Sequence, residues 1–259
     1  MADTPAETAP PGWRAVTPAR VALPRAGTSL GTAPVLALRA AHARARDAVH
    51  ESFDCEALAR AIAPFPSLAV HSEAGGRDEY LRRPDLGRRL HPDYRAALPR
   101  GPVDLALVCA DGLSALAVQR QAPPFLAALG GLLSDLSLGP AVLAAQGRVA
   151  IADDVGEAME ARLAMILIGE RPGLSVADSM GVYITFAPRR GRRDAERNCI
   201  SNIHDDGLLP EAAAAKAAWL VRAALTMQCT GIKLKDEQPV SQIAAGSADQ
   251  SGSPSISAL

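Results

Sequence analysis

The chain has 259 residues, 48% of them hydrophobic but only 3% aromatic, and its 27 Lys+Arg against 28 Asp+Glu leave a formal net charge of −1. That balance excludes a surface built for nucleic acid or anionic membrane, and no apolar run reaches the roughly 18 residues of a membrane span. Four scattered cysteines (Cys55, Cys109, Cys199, Cys229) lack the spacing of a zinc site or a disulfide framework, and Met1–Thr8 has no apolar signal core; the expectation is a soluble cytoplasmic protein of one domain with extensions, or two small ones.

Residues 1–20, rich in Pro, Ala and Thr without periodicity, read as disordered. Arg20–Ser29 is extended and turns through Gly27. Thr32, with Pro34 just after it, marks a helix start. The following helix alternates Leu36, Ala40, Ala43 and Val49 with Arg39, Arg44, Arg46 and Asp47, an amphipathic pattern. A second helix is expected over Cys55–Ala63, stopped by Pro64 and Pro66. Tyr80–Leu90 gathers Arg82, Arg83, Arg88 and Arg89 around Pro84-Asp85-Leu86-Gly87. This cluster is either a solvated face or a grip for a partner's carboxylates.

From Val103 the pattern changes. Val103–Cys109 reads as a strand, Asp111-Gly112 as a turn, Ser114 onward as a helix, and Phe125–Leu136 as a further helix. Ala141–Ala145 and Arg148–Ile151 read as short strands around Gln146-Gly147. Asp153-Asp154 is expected to cap a helix over Val155–Ala161, where carboxylates suit the dipole. The continuous apolar run Leu163–Ile168 reads as a buried parallel strand, and Gly181–Phe186 as a period-2 strand ended by Pro188. Pro210–Met227 is a long Ala-rich helix, and the Ser/Gly-rich end reads as a disordered tail over 238–259. Strands alternating with helices predict an α/β fold: a Rossmann-like parallel or mixed sheet flanked by helices over 101–237, preceded by a small helical N-terminal region over 21–100. A core so rich in alanine and poor in aromatics leaves little stabilisation per residue, which points to a partner subunit; GC-rich coding gives the same composition.

Two polar stretches follow strand-like runs. Gly169-Glu170-Arg171-Pro172-Gly173 projects a carboxylate from the carboxyl end of a buried strand, where open α/β sheets bind ligands. Glu170 there is a ligand contact or a surface pair with Arg171. Ala195–His204 packs Asn198, Cys199, Ser201, Asn202 and His204 into a second loop. Phosphate-binding glycine fingerprints and the GxSxG elbow are absent. Cys199 with His204 suggests a nucleophilic pair, although the spacing is loose and a lone cysteine is commonly a small apolar residue. Asn202-Ile203-His204-Asp205-Asp206-Gly207 has the spacing of the DxHxxG loop that puts histidine on cobalt. Asn202, however, replaces the Asp that would tune that histidine.

Arg25-Ala26-Gly27-Thr28-Ser29, Arg83–Leu90, Asp111-Gly112-Leu113-Ser114, Gly147-Arg148-Val149, Gly169–Gly173 and Cys199-Ile200-Ser201-Asn202-Ile203 occur in the order seen in one family. From about Arg20 to about Glu237 the chain resembles the small (light) subunit of ethanolamine ammonia-lyase. The resemblance implies an adenosylcobalamin-dependent lyase that converts ethanolamine to acetaldehyde and ammonia. It further implies a TIM-barrel large subunit holding substrate and radical chemistry, and a hetero-dodecamer of six large and six small subunits, inside or outside a bacterial microcompartment. By the same resemblance residues 21–100 contact the large subunit, and residues 101–237 close over a benzimidazole-on cobalamin. The family's cofactor contacts map onto Val149, Glu170 and Cys199, with no catalytic residue and no metal ligand in this chain. Two rival readings are a stand-alone Cys/His transferase or hydrolase, and a partner-binding α/β module.

Overall fold

Leu105–Ala110 and Leu163–Gly169 carry no charged side chain, and every residue of both is buried in the computed structural model, which describes residues 19–21 and 23–235. These are strands β4 and β6, parallel neighbours in register from Leu105 opposite Leu163 to Ala110 opposite Ile168. Apolar runs of this kind are stable only with both faces covered. β5 (Leu138–Ala145) lies on the other side of β4, and β3 (Ser67–His71) forms the edge beyond it, both parallel. β7 (Met180–Phe186) runs antiparallel to β6, and β8 (Arg197–Ile203) antiparallel to β7. The six-stranded order is β3-β5-β4-β6-β7-β8. The expected mixed sheet flanked by helices is therefore present. A separate hairpin joins β1 (Arg25–Ala26) to β2 (Ser29–Leu30).

On one face, α5 (Ala115–Leu132) packs against α7 (Pro210–Met227), the two lying over β4, β6 and β7. Ala213, Ala214, Ala217 and Ala224 of α7 are fully buried beside Phe125, Leu129 and Ile184. Thin side chains bring the helix close to its neighbours, as the composition suggested. α2 (Cys55–Ala61) joins this layer through Leu58. On the other face, α6 (Ile151–Ala158) lies over β4 and β6, with Ile151, Val155 and Met159 against Val108 and Ile166. The short α4 (Pro92–Ala97) packs beside α6. α1 (Thr32–His50) and α3 (Arg77–Arg82) lie outside the sheet layers. Among the described residues no helix is long and apolar enough to cross a membrane. The segments expected to be disordered, 1–20 and 238–259, lie outside the described residues except for Ala19 and Arg20.

Several local expectations change. The two helices read over 114–136 are one, α5, running through Pro123 and Pro124. Proline removes an internal hydrogen bond, but the buried stripe Val118, Ala122, Phe125, Leu126, Leu129 continues across the pair and holds the helix against the sheet. Arg148–Ile151 is a turn, not a strand, and the helix after it begins at Ile151, four residues before the expected start. Asp153 and Asp154 lie inside its first turn rather than capping it; both carboxylates are buried, Asp153 paired with the buried Arg197 and Asp154 with the half-exposed Arg190. α1 is preceded by Gly31 at the cap position, with no side-chain cap from Thr32, and α2 ends at Ala61. The stretch read as a polar loop at 195–204 is largely strand β8. Its register slips opposite Met180 and Val182, and Asn202 takes a left-handed φ of 63°, so Ile200 and Ile203 both point inward three residues apart. β3 was not anticipated at all. Finally, Arg83 pairs with Asp85 at 2.7 Å on the surface.

Candidate functional site

The helices after adjacent strands β4 and β5 leave for opposite faces, which makes the carboxyl end of this strand pair the usual ligand crevice of an open α/β sheet. Here the chain fills that crevice itself. Asp111, buried at the end of β4, accepts from the Gly147 N–H at 3.0 Å and from the Arg77 guanidinium at 3.0 Å. Tyr80, fully buried, donates to the Gly147 carbonyl at 3.0 Å, and the Arg77 and Arg148 guanidinium carbons lie 4.8 and 4.3 Å from its ring centroid. Arg148 N–H donates to the Gly87 carbonyl at 2.7 Å. Burial pushes the Asp111 carboxyl up, opposed by Arg77 and backbone N–H donors from Gly147, Gln146 and Gly112. This network fixes the turn that carries Val149.

The end of β6 is locked to the same region. Leu113 N–H donates to the Gly169 carbonyl at 3.0 Å, and a Cβ on Gly169 would collide with the Ser114 and Asp111 carbonyl oxygens. Only glycine allows this approach. Glu170 follows directly. Its N–H donates to the Ser179 carbonyl at 2.9 Å, and its Oε2 accepts from the Ser179 hydroxyl at 2.6 Å. Its partner is thus Ser179, not Arg171. Its Oε1 lies over Gly181, 3.0 Å from where a Cβ would stand.

Gly181 and Tyr183 face the same side of β7, and Tyr183 is directly opposite Cys199 of β8. α6 covers this face over β4 and β6, and Thr185 and Arg197 are buried on it, but the neighbouring end of β7 and β8 is bare, with Cys199 and Ser201 exposed and Tyr183 half-buried. The opposite face of the same two strands is sealed by α7. Val149 is half-buried at the start of α6 and packs, like Tyr183, against the apolar cluster of the bare-faced side. The three residues singled out from sequence therefore lie on one side of the sheet. Although Cys199 is exposed at the surface, partial desolvation by its neighbours pushes its thiol up, opposed by the Tyr183 hydroxyl and assisted by the Glu170 carboxylate. Tyr183 itself is raised, first by burial and then by Cys199 and Glu170.

One buried ion pair ties this side together. Arg197, two residues before Cys199, donates through both terminal nitrogens to Asp153 at 2.8 and 2.7 Å, and to Thr185 Oγ1 at 2.9 Å. The pair fastens the first turn of α6, beside Val149, to β8. Neighbouring Asp154 accepts both donors of Arg190, at 2.7 and 2.8 Å.

His204 does something else. Its Nδ1 accepts from the Asp206 N–H at 3.2 Å, and its Nε2 meets Asn202 Oδ1 at 2.9 Å. A ring accepting at Nδ1 and donating from Nε2 is the neutral Nε2–H tautomer. Both nitrogens are spent closing the turn after β8, so neither is a base for Cys199. The raised thiol is the opposite of an activated nucleophile. Sequence reading missed Tyr183, Gly181, Ser179 and the Asp111 network. The alternation Gly181, Tyr183, Thr185 was the available signal for the first two.

Fold and site together define a mixed α/β protein with a filled strand crevice and one bare face of small and polar side chains. A family model described as ethanolamine ammonia-lyase light chain matches residues 9–235. Proteins named ethanolamine ammonia-lyase small subunit from Ralstonia nicotianae, Pseudomonas syringae pv. tomato and Azotobacter vinelandii are each 51% identical. The alignments cover 94%, 86% and 89% of this chain and 95%, 82% and 89% of those relatives. The chain belongs to the ethanolamine ammonia-lyase light-chain family, whose named enzyme is a lyase acting in ethanolamine degradation.

Proposed function

We propose that this chain is the small subunit of an adenosylcobalamin-dependent ethanolamine ammonia-lyase, closing over the cobalamin from the side opposite a TIM-barrel large subunit. The observation that carries the reading is the exposed end of β7 and β8, with Cys199 on it and Glu170 beside it over Gly181, while Val149, in the turn after β5, packs on the same side of the sheet. The donor set suits corrin. Its rim of amide groups needs an acceptor, supplied by Glu170 with Oε1 not taken by Ser179. A broad macrocycle needs a surface without tall side chains, which Gly181, Cys199 and Ser201 provide; Val149 adds apolar contact. When bound, cobalamin supplies the radical chemistry. This chain would hold it and exclude water from one side, and His204, with both ring nitrogens engaged by Asn202 and Asp206, would not be needed as a cobalt ligand.

Residues 21–100 are the region for the large subunit; α1 supports this with Leu36 57% exposed. The assembly we propose is a hetero-dodecamer of six large and six small subunits. Co-expression with the large subunit tests the reading. The expected product is a red complex that retains cobalamin through gel filtration and releases ammonia from ethanolamine, while this chain alone releases none. Turnover by the isolated chain, or a complex indifferent to cobalamin, would refute it.

A further inference from the structure

Tyr183 lies between Glu170 and Cys199. It is cross-strand partner to Cys199. Its ring and the Glu170 side chain converge over Gly181: a Cβ there would stand 3.4 Å from Glu170 Cγ and 3.5 Å from Tyr183 Cε2. Its inner edge packs on the same apolar cluster as Val149. Tyr183 is only half-buried, with its apolar body against the core.

We infer that Tyr183 is a positioning residue of the cofactor face, its ring beside Glu170 over Gly181 and directly across the strand pair from Cys199, so that carboxylate and thiol present one fixed surface to cobalamin. The inference rests on the reading of this face as the cobalamin side and adds a residue that neither motif nor spacing marks. Glycine at 181 is part of the device, because a larger residue would displace Glu170 Oε1, which stands 3.0 Å from the Cβ position. The hydroxyl also has an independent signature. It favours the Cys199 thiolate against burial and against the Glu170 charge, so its loss must make the thiol harder to ionise.

Tyr183→Phe keeps the ring, the strand and the core contact and removes only the hydroxyl. In the complex with the large subunit, freed of cofactor, two quantities are measured. The first is adenosylcobalamin affinity, from the change in visible absorption on titration. The second is the rate of Cys199 alkylation by a maleimide at fixed pH, followed on the Cys199 peptide by mass spectrometry. The expected result is an affinity roughly three- to tenfold weaker and alkylation slowed at least about threefold; in the unaltered complex, cobalamin protects Cys199 from alkylation. Unchanged affinity overturns the proposal, and so does weaker affinity with unchanged alkylation. Glu170→Ala and Cys199→Ala run in parallel separate the two levels. If they too leave affinity untouched, the cobalamin reading of the face fails; if they weaken it and Tyr183→Phe does not, only the role of Tyr183 fails.

Discussion

Replacing Glu170 is the sharpest test of the face. Its Oε2 is held by the Ser179 hydroxyl at 2.6 Å, which orients the carboxylate, and its Oε1 lies over Gly181. An amide N–H of the corrin rim meeting that oxygen forms a charge-assisted hydrogen bond worth about 1.5–3 kcal/mol. Removing it should therefore weaken cobalamin binding roughly tenfold to a hundredfold. Glu170→Gln, which keeps length and one acceptor oxygen, should fall near the lower figure and Glu170→Ala near the upper. β6 ends at Gly169 and its buried residues are untouched, so subunit assembly, read by sedimentation, should survive in both. The assay is titration of the cofactor-free complex with adenosylcobalamin, followed by visible absorption. Equal affinity in both variants, with assembly intact, would show that Glu170 serves only to hold the Ser179 segment.

Three further outcomes are expected. His204→Ala should leave the nitrogen coupling in the cob(II)alamin paramagnetic resonance spectrum of the complex unchanged, because both ring nitrogens are engaged by Asn202 and Asp206; loss of a histidine coupling would show that it ligates cobalt. Asp153→Ala leaves the buried Arg197 without its carboxylate and should cost about 3–5 kcal/mol in urea unfolding, with a smaller loss refuting the pair as a tie between α6 and β8. Asp104 is held below its ordinary value of 3.8 by the Ser137 N–H and by Arg162. A lowered folded value means stability that is complete above that ordinary value and lost as pH falls through the lowered one, so Asp104→Asn should flatten the acid side of the stability–pH curve; an unaltered slope below about pH 4 contradicts this.

The parts of the fold legible in sequence are those whose signal is local. β4 and β6 announce themselves as unbroken apolar runs because both faces are covered, and α7 because it is an alanine-rich helix of 18 residues. β3 is five residues between Ser67 and His71, stabilised by pairing with β5, and nothing local marks it. β8 hides because its slipped register destroys the period of two. Asp153 and Asp154 look like caps from their place before an apolar run; their true partners, Arg197 and Arg190, are more than thirty residues away. The site divides the same way. Glu170 is legible from its strand end, whereas Tyr183 is an ordinary strand tyrosine until the register places it beside Cys199.

The motifs behind the family resemblance have a physical use that is separate from touching a ligand. Asp111-Gly112-Leu113-Ser114, Leu86-Gly87 and Gly147-Arg148 meet around Tyr80 and Asp111, and Gly169 closes on Ser114. These contacts fix two turns whose next residues are Val149 and Glu170. The third candidate, Cys199, is fixed from the other direction, through Arg197 and Asp153 back to the first turn of α6. The turn of Val149 and the strand of Cys199 are therefore positioned by buried charges that tolerate little change, since an unpaired buried charge costs more than the pair returns. A thin-cored protein can thereby hold Val149, Glu170 and Cys199 in place without a helix over the exposed end of β7 and β8, which is what the proposed cofactor face requires.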